Sequence, residues 1–467
     1  MSCPSPFNVR CHGKMKSLCM TMLILVALFF SAMTRAESKY FSNAWLTQQV
    51  NVAFKKLKEN ISPAGAMPGA VIAARSTAHP DYYYHWVRDA AIAMDALASY
   101  YDMTSSSLAR QEIRQKLSEY LDFSANIQTV STRAGLGEPK FNVDGTVFTG
   151  PWGRPQNDGP ALRAISMVHW ANILIREGQE KFVREKMYDS QLPANLPIKK
   201  DLEYVSHHWR DASFDLWEEV EGTHFFNLMV SRRAMLEGAA LAQQLGDAGA
   251  AEWYAEQAQA MSEAIQPFWD ASRGYLVATL HRVGGLDTKY SNLDMAVILG
   301  LVLGDRQDGF LAWDDVRVQG TMEKLIQVFS TLYPVNQRDQ LPGVAIGRYP
   351  EDRYSGTGFD GGNPWPLCTL AMAEALYRYA AALTAQGKTH QATEVKARAN
   401  QLVDRVACHA EKDGSLSEQI DRNTGYMVSA RDLTWNYAAI LNVAKTFSNI
   451  HERVKKAMIR RKKRYVG

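Results

Sequence analysis

The sequence predicts an all-α fold: one large helical domain, read as a closed ring of helix pairs whose loops gather at one end. Three observations predict it. Apolar residues recur at helical spacing through most of the 467-residue chain. No strand-rich block of comparable length interrupts them. Between the helices stand loops rich in Gly, Pro, Asp and aromatic residues, the composition of connections that hold a ligand. Twelve helices over residues 37–450 would allot roughly 35 residues to each helix and its loop, a workable unit for helical repeats. A helical solenoid is the competing architecture, and no fixed sequence repeat favours it.

The chain opens with a targeting pattern over residues 1–36. Lys14 and Lys16 precede an apolar run from Leu18 to Ala32, and Ala36 closes a small-residue stretch, the layout of a secretory signal peptide. The run is short for a membrane span, and Met15 is a second candidate start. Residues 37–450 form the helical body. Helical patterns run through 105–128, 160–177, 247–266, 318–332, 364–386 and 388–408. Phe225, Leu228, Met229, Leu236, Ala239 and Ala240 mark a further helix, with Gly246 at its stop. Leu433, Tyr437, Ile440, Leu441, Ala444 and Phe447 form another face, and Ser429 with Asp432 reads as a capping box for it. The tail, 451–467, is strongly basic and reads as a solvated end.

The net charge of +3 hides this asymmetry. Setting aside the four basic residues of 1–36 and the eight from Arg453 onward leaves residues 37–452 at −9. An acidic body argues against nucleic acid as a partner. With 46% hydrophobic residues the chain can bury a large core. Of five cysteines, Cys3, Cys11 and Cys19 fall in the targeting segment. Cys368 and Cys408 remain and read as two buried thiols, with a bridge between them allowed but not demanded. Asn60-Ile61-Ser62 is a glycosylation acceptor in a host with that machinery. There is no phosphate-cradling loop, nucleophile elbow or zinc-binding H-E-x-x-H. His207-His208 reads as a solvated loop feature, so no metal or other cofactor is expected.

Four loops carry the chemistry: Pro80–Asp89, Gly150–Pro160, Asp215–Gly222 and Gly414–Gln419. The first runs three tyrosines and Trp86 into Arg88-Asp89. The second holds Trp152, Gly153, Arg154 and Asp158. The third clusters Glu218, Glu219 and Glu221 beside Trp217, and the fourth sets Glu418 beside Gln419. Sugars need aromatic faces for their C–H surfaces and Asp, Arg and Gln for their hydroxyls. Cleaving a glycosidic bond needs one protonated and one ionised carboxyl. Repulsion within the acid cluster and burial against Trp217 would lift one carboxyl toward the protonated state. Taken one at a time, each loop also fits a solvated acid cluster or a packed tyrosine run.

Five stretches in order carry a resemblance: PDYYYHWVRDA, GLGEPKFNVDGTVFTGPWGRPQNDGPALRA, DLWEEVEGTHFF, GRYPEDRYSGTGFDGGNPWPLCTLA and GSLSEQIDRNTGYMVSARDLTWNYAA. From about residue 43 to 445 the chain resembles a glucoamylase of glycoside hydrolase family 15. The resemblance implies an (α/α)6 barrel, a pocket at one end, and release of β-glucose with inversion from non-reducing ends of starch-like chains. It implies Glu218 as general acid and Glu418 as general base. Tyr82 and Gln419 match groups that position the attacking water, and Arg88, Asp89 and Arg348 match groups that grip the terminal glucose. Glu219 matches a contact to the next sugar. Trp86, Trp152, Trp217 and Trp365 match the aromatic walls, with Gly153, Arg154, Asp158 and Tyr354 in supporting places. The link from Arg353 to Asn363 is longer and richer in glycine than the family's usual one. An α-glucan or oligosaccharide is the expected partner of an exported monomer, secreted or periplasmic, without a membrane partner. Two other readings remain: the same fold acting on another α-glucoside, such as an α-1,6 glucan or trehalose, and a non-catalytic sugar-binding or regulatory barrel.

Overall fold

The computed structural model describes residues 44–465 apart from 339, 340 and 342, and side chains up to 449. The targeting segment, 1–36, and the side chains of the basic tail lie outside the described residues. In chain order the first helices are α1 (44–60), α2 (Val87–Met103), α3 (Ser107–Ile127), α4 (Asp158–Arg176), α5 (Glu180–Lys186), α6 (Pro197–His208) and α7 (Phe225–Gln244). There follow α8 (Ala248–Ile265), α9 (Met295–Gly304), α10 (Val316–Leu332), α11 (Val335–Arg338), α12 (Pro366–Ala385), α13 (Thr389–His409) and α14 (Thr434–Tyr465).

Six of them, α2, α4, α7, α9, α12 and α14, pack each against the next, and α14 returns to α2. The ring therefore closes, which removes the solenoid reading. Outside it α3 lies on α2, α6 on α4, α8 on α7, α10 on α9 and α13 on α12. The sixth outer helix, α1, is tied to the start of α14 by Lys56 to Asp432 at 2.8 Å and Asn60 to Thr434 at 2.9 Å. This is an (α/α)6 barrel. Composition sorts the two layers. All ten residues of α9, MAVILGLVLG, are buried, as a helix enclosed on every side must be apolar all round. The outer α10 and α13 bury one face and present charge on the other.

The same sorting explains which helices the sequence reading passed over. Helix α9 has no polar face and so no 3.6-residue alternation to detect, and α2 is dominated by alanine. Helices α1 and α6 do carry legible stripes (Leu46, Ala53 and Leu57; Ile198, Leu202 and Val205) that went unread.

Among the described residues nine short strands decorate the loops: β1 (His85–Trp86), β2 (Lys140–Phe141), β3 (Ser213–Phe214), β4 (Val220–His224), β5 (Trp269–Asp270), β6 (Tyr275–Leu276), β7 (Thr279–Gly285), β8 (Ser417–Ile420) and β9 (Met427–Arg431). They pair antiparallel as β1–β2, β3–β4–β7, β5–β6 and β8–β9. Among the described residues no helix is long and apolar enough to cross a membrane.

Four smaller expectations are corrected. Ser429 is not a helix cap: it lies in β9, and α14 begins five residues later at Thr434. His207 and His208 end α6 rather than sitting in a loop. Cys368 is buried but Cys408 is exposed, and no disulfide joins them. Asn60 is 1% exposed and donates to the Asp432 carbonyl and the Thr434 hydroxyl, so its amide is not open to a sugar transferase.

Candidate active site

All six inner helices enter the ring at the same end. Arg88 and Asp89 occupy the first turn of α2, Asp158 opens α4, and β4 feeds directly into α7. The first amide of α9 donates to the Arg348 carbonyl, Trp365 precedes α12, and Leu433 and Trp435 flank the start of α14. The partial positive charge of the helix N-termini is gathered there, which favours the acids placed among them. Between these ends and the loops lies a cavity of about 900 Å³ that both Glu218 and Glu418 line.

Glu218 stands on the tight turn between β3 and β4. Its amide donates to the Asp215 carbonyl, while the Asp215 carboxylate takes the amides of Glu219 at 2.7 Å and Val220 at 3.0 Å. The turn forces Glu218 to a φ of +66°, a conformation that costs a non-glycine residue about 1–3 kcal/mol and persists only where the surroundings fix it. Trp86 Nε1 donates to Glu218 Oε1 at 2.9 Å, Gln156 Nε2 at 3.0 Å and Arg88 Nη2 at 3.5 Å. With Oε1 thus occupied, a proton carried by this carboxyl belongs on Oε2. The neighbouring acids do not crowd Glu218 as the sequence suggested. Glu219 turns away to Arg348 and Lys289, each at 2.9 Å, and accepts from Tyr349 Oη at 2.8 Å. The Trp217 indole nitrogen is spent on Asp294 at 2.8 Å.

Glu418 lies on β8 and is 1% exposed. Tyr82 Oη donates to its Oε1 at 2.6 Å; Gln419 Nε2 at 3.0 Å and the Ser429 hydroxyl donate to Oε2. Burial pushes its pKa up, against the opposing pull of Ser429, Tyr82, Arg348 and Gln419. The two acids share no partner. Between them stand the rings of Tyr82 and Trp86, edge to face with centroids 5.5 Å apart, one bonded to each acid.

Two arginines frame the cavity. Arg88 reaches Gln156 at 2.8 Å, Asp158 at 3.1 Å and Asp89 at 3.5 Å. Arg348 is clamped by both oxygens of Asp352, at 2.8 and 2.7 Å, and lies over the rings of Trp217, Tyr354 and Trp365. Burial pushes Asp89 up to about 6, with the negative Glu218 and Asp158 adding and Arg88 opposing. The Trp152 and Trp365 indole N–H groups are buried without a protein partner.

Of the residues singled out in the sequence, Tyr82, Trp86, Arg88, Asp89, Trp152, Gly153, Trp217, Glu218, Glu219, Arg348, Tyr354, Trp365 and Glu418 all line this one cavity. Three do not. Gln419 lies behind Glu418, held by Asn363 at 2.8 Å. Asp158 lies behind Arg88. Arg154 is a loop brace, bonded to Glu138 at 2.6 Å and to the carbonyls of Phe148, Gly150 and Trp152.

Sequence reasoning missed several neighbours. Gln156 and Ser429 lay inside the recognised stretches and could have been named there. Lys140 also did: its ammonium sits 3.9–4.3 Å from the ring centres of Tyr84, Trp86, Phe148 and Trp152. Desolvation in that cage lowers it to about 8. Lys289 and Asp294 belong to a stretch with no motif, and only the fold brings Lys289 to Glu219 and Asp294 to Trp217. Asp294 caps α9 through the Ala296 amide and anchors Trp217. Asp294→Ala is expected to lower stability by about 2 kcal/mol, from the lost cap and a buried indole N–H left unpaired. Urea unfolding would measure it, with Asp294→Asn retaining most of the difference.

A ring of helix pairs with acids, arginines and indoles facing one pocket is the architecture of a glycoside hydrolase on an (α/α)6 barrel. A model of glycosyl hydrolases family 15 matches residues 51–445. The chain belongs to that family. It is 37% identical over 437 residues to a glucoamylase of Blastobotrys adeninivorans, covering 85% of this chain and 70% of that one. Among solved structures, the family 15 glucoamylase of Hypocrea jecorina superposes with a TM-score of 0.78 at 30% identity, covering 88% of this chain and 73% of the other. A glucoamylase of Saccharomycopsis fibuligera superposes with a TM-score of 0.77 at 29% identity over 88% and 96%.

Proposed function

We propose that this glycoside hydrolase is an exo-acting, inverting glucan 1,4-α-glucosidase that releases β-glucose from the non-reducing ends of starch, glycogen or maltodextrins. The observation that carries the reading is the placement of Glu218 and Glu418 in one cavity, with separate hydrogen-bond partners and an aromatic pair between them. An inverting pair must leave room for a water, with carboxyls about 6.5–9.5 Å apart. Arg88, Asp89 and Arg348 grip the terminal glucose, and Trp217 and Trp365 close over its faces.

Glu218 Oε2 gives its proton to the glycosidic oxygen as the bond from that oxygen to the anomeric carbon breaks. Glu418, ionised, draws a proton from a water, and the water oxygen bonds to the anomeric carbon from the opposite side. The proton lost by Glu218 and the one gained by Glu418 balance, and both exchange with solvent after the products leave. Tyr82 is held by burial and by Glu418 far above its usual pKa, so it remains a proton donor to Glu418. Gln419 steadies that carboxylate from behind.

The test is to follow maltotriose and soluble starch by NMR from the first minutes. The β-anomer of glucose is expected first; initial α-glucose would overturn inversion, and no release would overturn the activity. Isomaltose and trehalose belong in the same panel, and faster release from either would move the substrate assignment. We also read residues 1–36 as an export signal, so the exported protein is expected to begin at Glu37 by N-terminal sequencing. The basic tail is read as solvated, and the enzyme as a monomer.

A further inference from the structure

We propose that Lys289 is a positioning residue for the general acid: its ammonium keeps the Asp215 carboxylate charged, and that carboxylate holds the turn from which Glu218 presents its proton. The proposal rests on the functional reading above and extends the acid machinery to a residue outside the recognised stretches.

Lys289 lies on the loop between β7 and α9. Residues 285–288 and 290 are exposed, but the Lys289 side chain turns inward and is 10% exposed. Its Nζ stands 2.9 Å from Asp215 Oδ2, 2.9 Å from Glu219 Oε2 and 3.5 Å from Asp294 Oδ2, and lies 4.0 Å from the centre of the Tyr349 ring. Burial works against the charge on Lys289, but the three carboxylates outweigh it and its pKa is raised. The backbone of the loop is fixed to the same turn. Gly285 pairs with Val220, and the Leu286 amide donates to the Glu219 carbonyl at 2.8 Å.

The three acids do not depend on Lys289 equally. Glu219 also has Arg348 and the Tyr349 hydroxyl, and Asp294 Oδ1 has the Trp217 indole and the Ala296 amide. Asp215 divides its carboxylate. Oδ1 takes the Glu219 and Val220 amides, and Oδ2 takes Lys289, its one ion-pair partner among the described residues. His224 beside it is pushed by burial toward the neutral form. Without Lys289, burial would drive a proton onto Asp215, and a neutral carboxyl accepts from amides more weakly than a carboxylate. Those two bonds hold the turn in which Glu218 takes its φ of +66°, a conformation that persists only where the surroundings fix it. Loosening the turn misplaces the proton of Glu218. The donors to Glu418, on Tyr82, Gln419 and Ser429, lie on other segments and keep their places.

The experiment compares maltotriose with α-glucosyl fluoride, whose leaving group needs no proton, in wild type, Lys289→Met, Lys289→Arg, Asp215→Asn and the double variant Lys289→Met with Asp215→Asn. Lys289→Met is expected to lower kcat on maltotriose roughly fiftyfold with KM within a few-fold, and kcat on the fluoride by less than about fivefold. Lys289→Arg, which keeps the charge, is expected to recover most of the maltotriose loss. Because the lysine acts through Asp215, the double variant is expected within about threefold of Lys289→Met alone. Equal losses on the two substrates, no loss on maltotriose, or losses that multiply in the double variant would overturn the proposal. Should Lys289→Met fail to fold, the maltotriose-to-fluoride ratio decides the matter in Asp215→Asn, expected to fall at least tenfold, and in Lys289→Arg, expected near wild type. A wild type that releases glucose from neither substrate sinks the functional reading. A crystal structure of Lys289→Met then judges the lysine: Glu218 is expected to leave its positive φ and the Trp86 indole, and a turn that stayed unchanged would overturn the role.

Discussion

Glu218→Gln is expected to lower kcat on maltotriose by about 10²- to 10⁴-fold while leaving KM within a few-fold, as measured by glucose release. The glutamine amide oxygen can keep the bonds from Trp86, Gln156 and Arg88 that Glu218 Oε1 accepts. The left-handed turn and the sugar-gripping side chains are then undisturbed, and the loss is confined to the proton on the other oxygen. A substrate whose leaving group needs no proton should escape most of the defect. On α-glucosyl fluoride the same variant is expected to retain activity to within about tenfold, because fluoride departs without acid assistance. Equal losses on both substrates would show that Glu218 acts through structure rather than as the donor. A Glu418 variant should give that equal loss, since fluoride departure still needs an activated water.

The fold was legible wherever burial leaves one polar face. Helices such as α10 and α13 alternate and were read nearly to their ends; α9, enclosed on all sides, has a composition but no period. The site was legible because its residues are crowded into short stretches that the barrel delivers to one end. What the sequence could not yield is pairing across distance. The acid cluster at Glu218 suggested mutual repulsion. The fold instead sends Glu219 to Arg348 and Lys289, and it is Asp89, 129 positions earlier, that shares the cavity with Glu218 and is pushed up. Ser429 with Asp432 had the spacing of a capping box, but a strand pairing turned the hydroxyl toward Glu418. Spacing along the chain predicts neighbours only within one element.

Glu418→Gln is expected to lower kcat by about 10³-fold or more, because water loses its proton acceptor and because three donors are aimed at this side chain. Tyr82, Gln419 and Ser429 all donate toward it, a set built for an ionised carboxylate. A glutamine amide must present its NH₂ to at least one of them. The same three donors set the pH response. Glu418 works ionised, and burial raises its pKa, so the acid limb of kcat/KM is expected above the ordinary carboxylate range. Ser429 favours the ionised form; Ser429→Ala removes that support and should move the acid limb to higher pH while the plateau holds to within about tenfold. A limb that stays in place would detach Ser429 from the titration. Stability should run the opposite way. A carboxyl raised on folding contributes stability below its unfolded value, and that contribution is lost as pH climbs through the folded one. Glu418 is raised, and Asp89 and Asp294 are pushed up to about 6. Asp215, held down to about 2 chiefly by Lys289 against the cost of burial, has already given its full contribution by pH 4. Each of these three therefore withdraws stability between about pH 4 and 7, while His85, lowered by burial to about 3, and His224 add it over the same window, so the test is the difference between two melting profiles: the wild type is expected to lose stability relative to Glu418→Gln as pH climbs from 4 to 7. The barrel gives up stability to hold a carboxylate ionised in a dry pocket, and a wild type that gained stability on Glu418→Gln through that window would contradict the burial on which Glu418 depends.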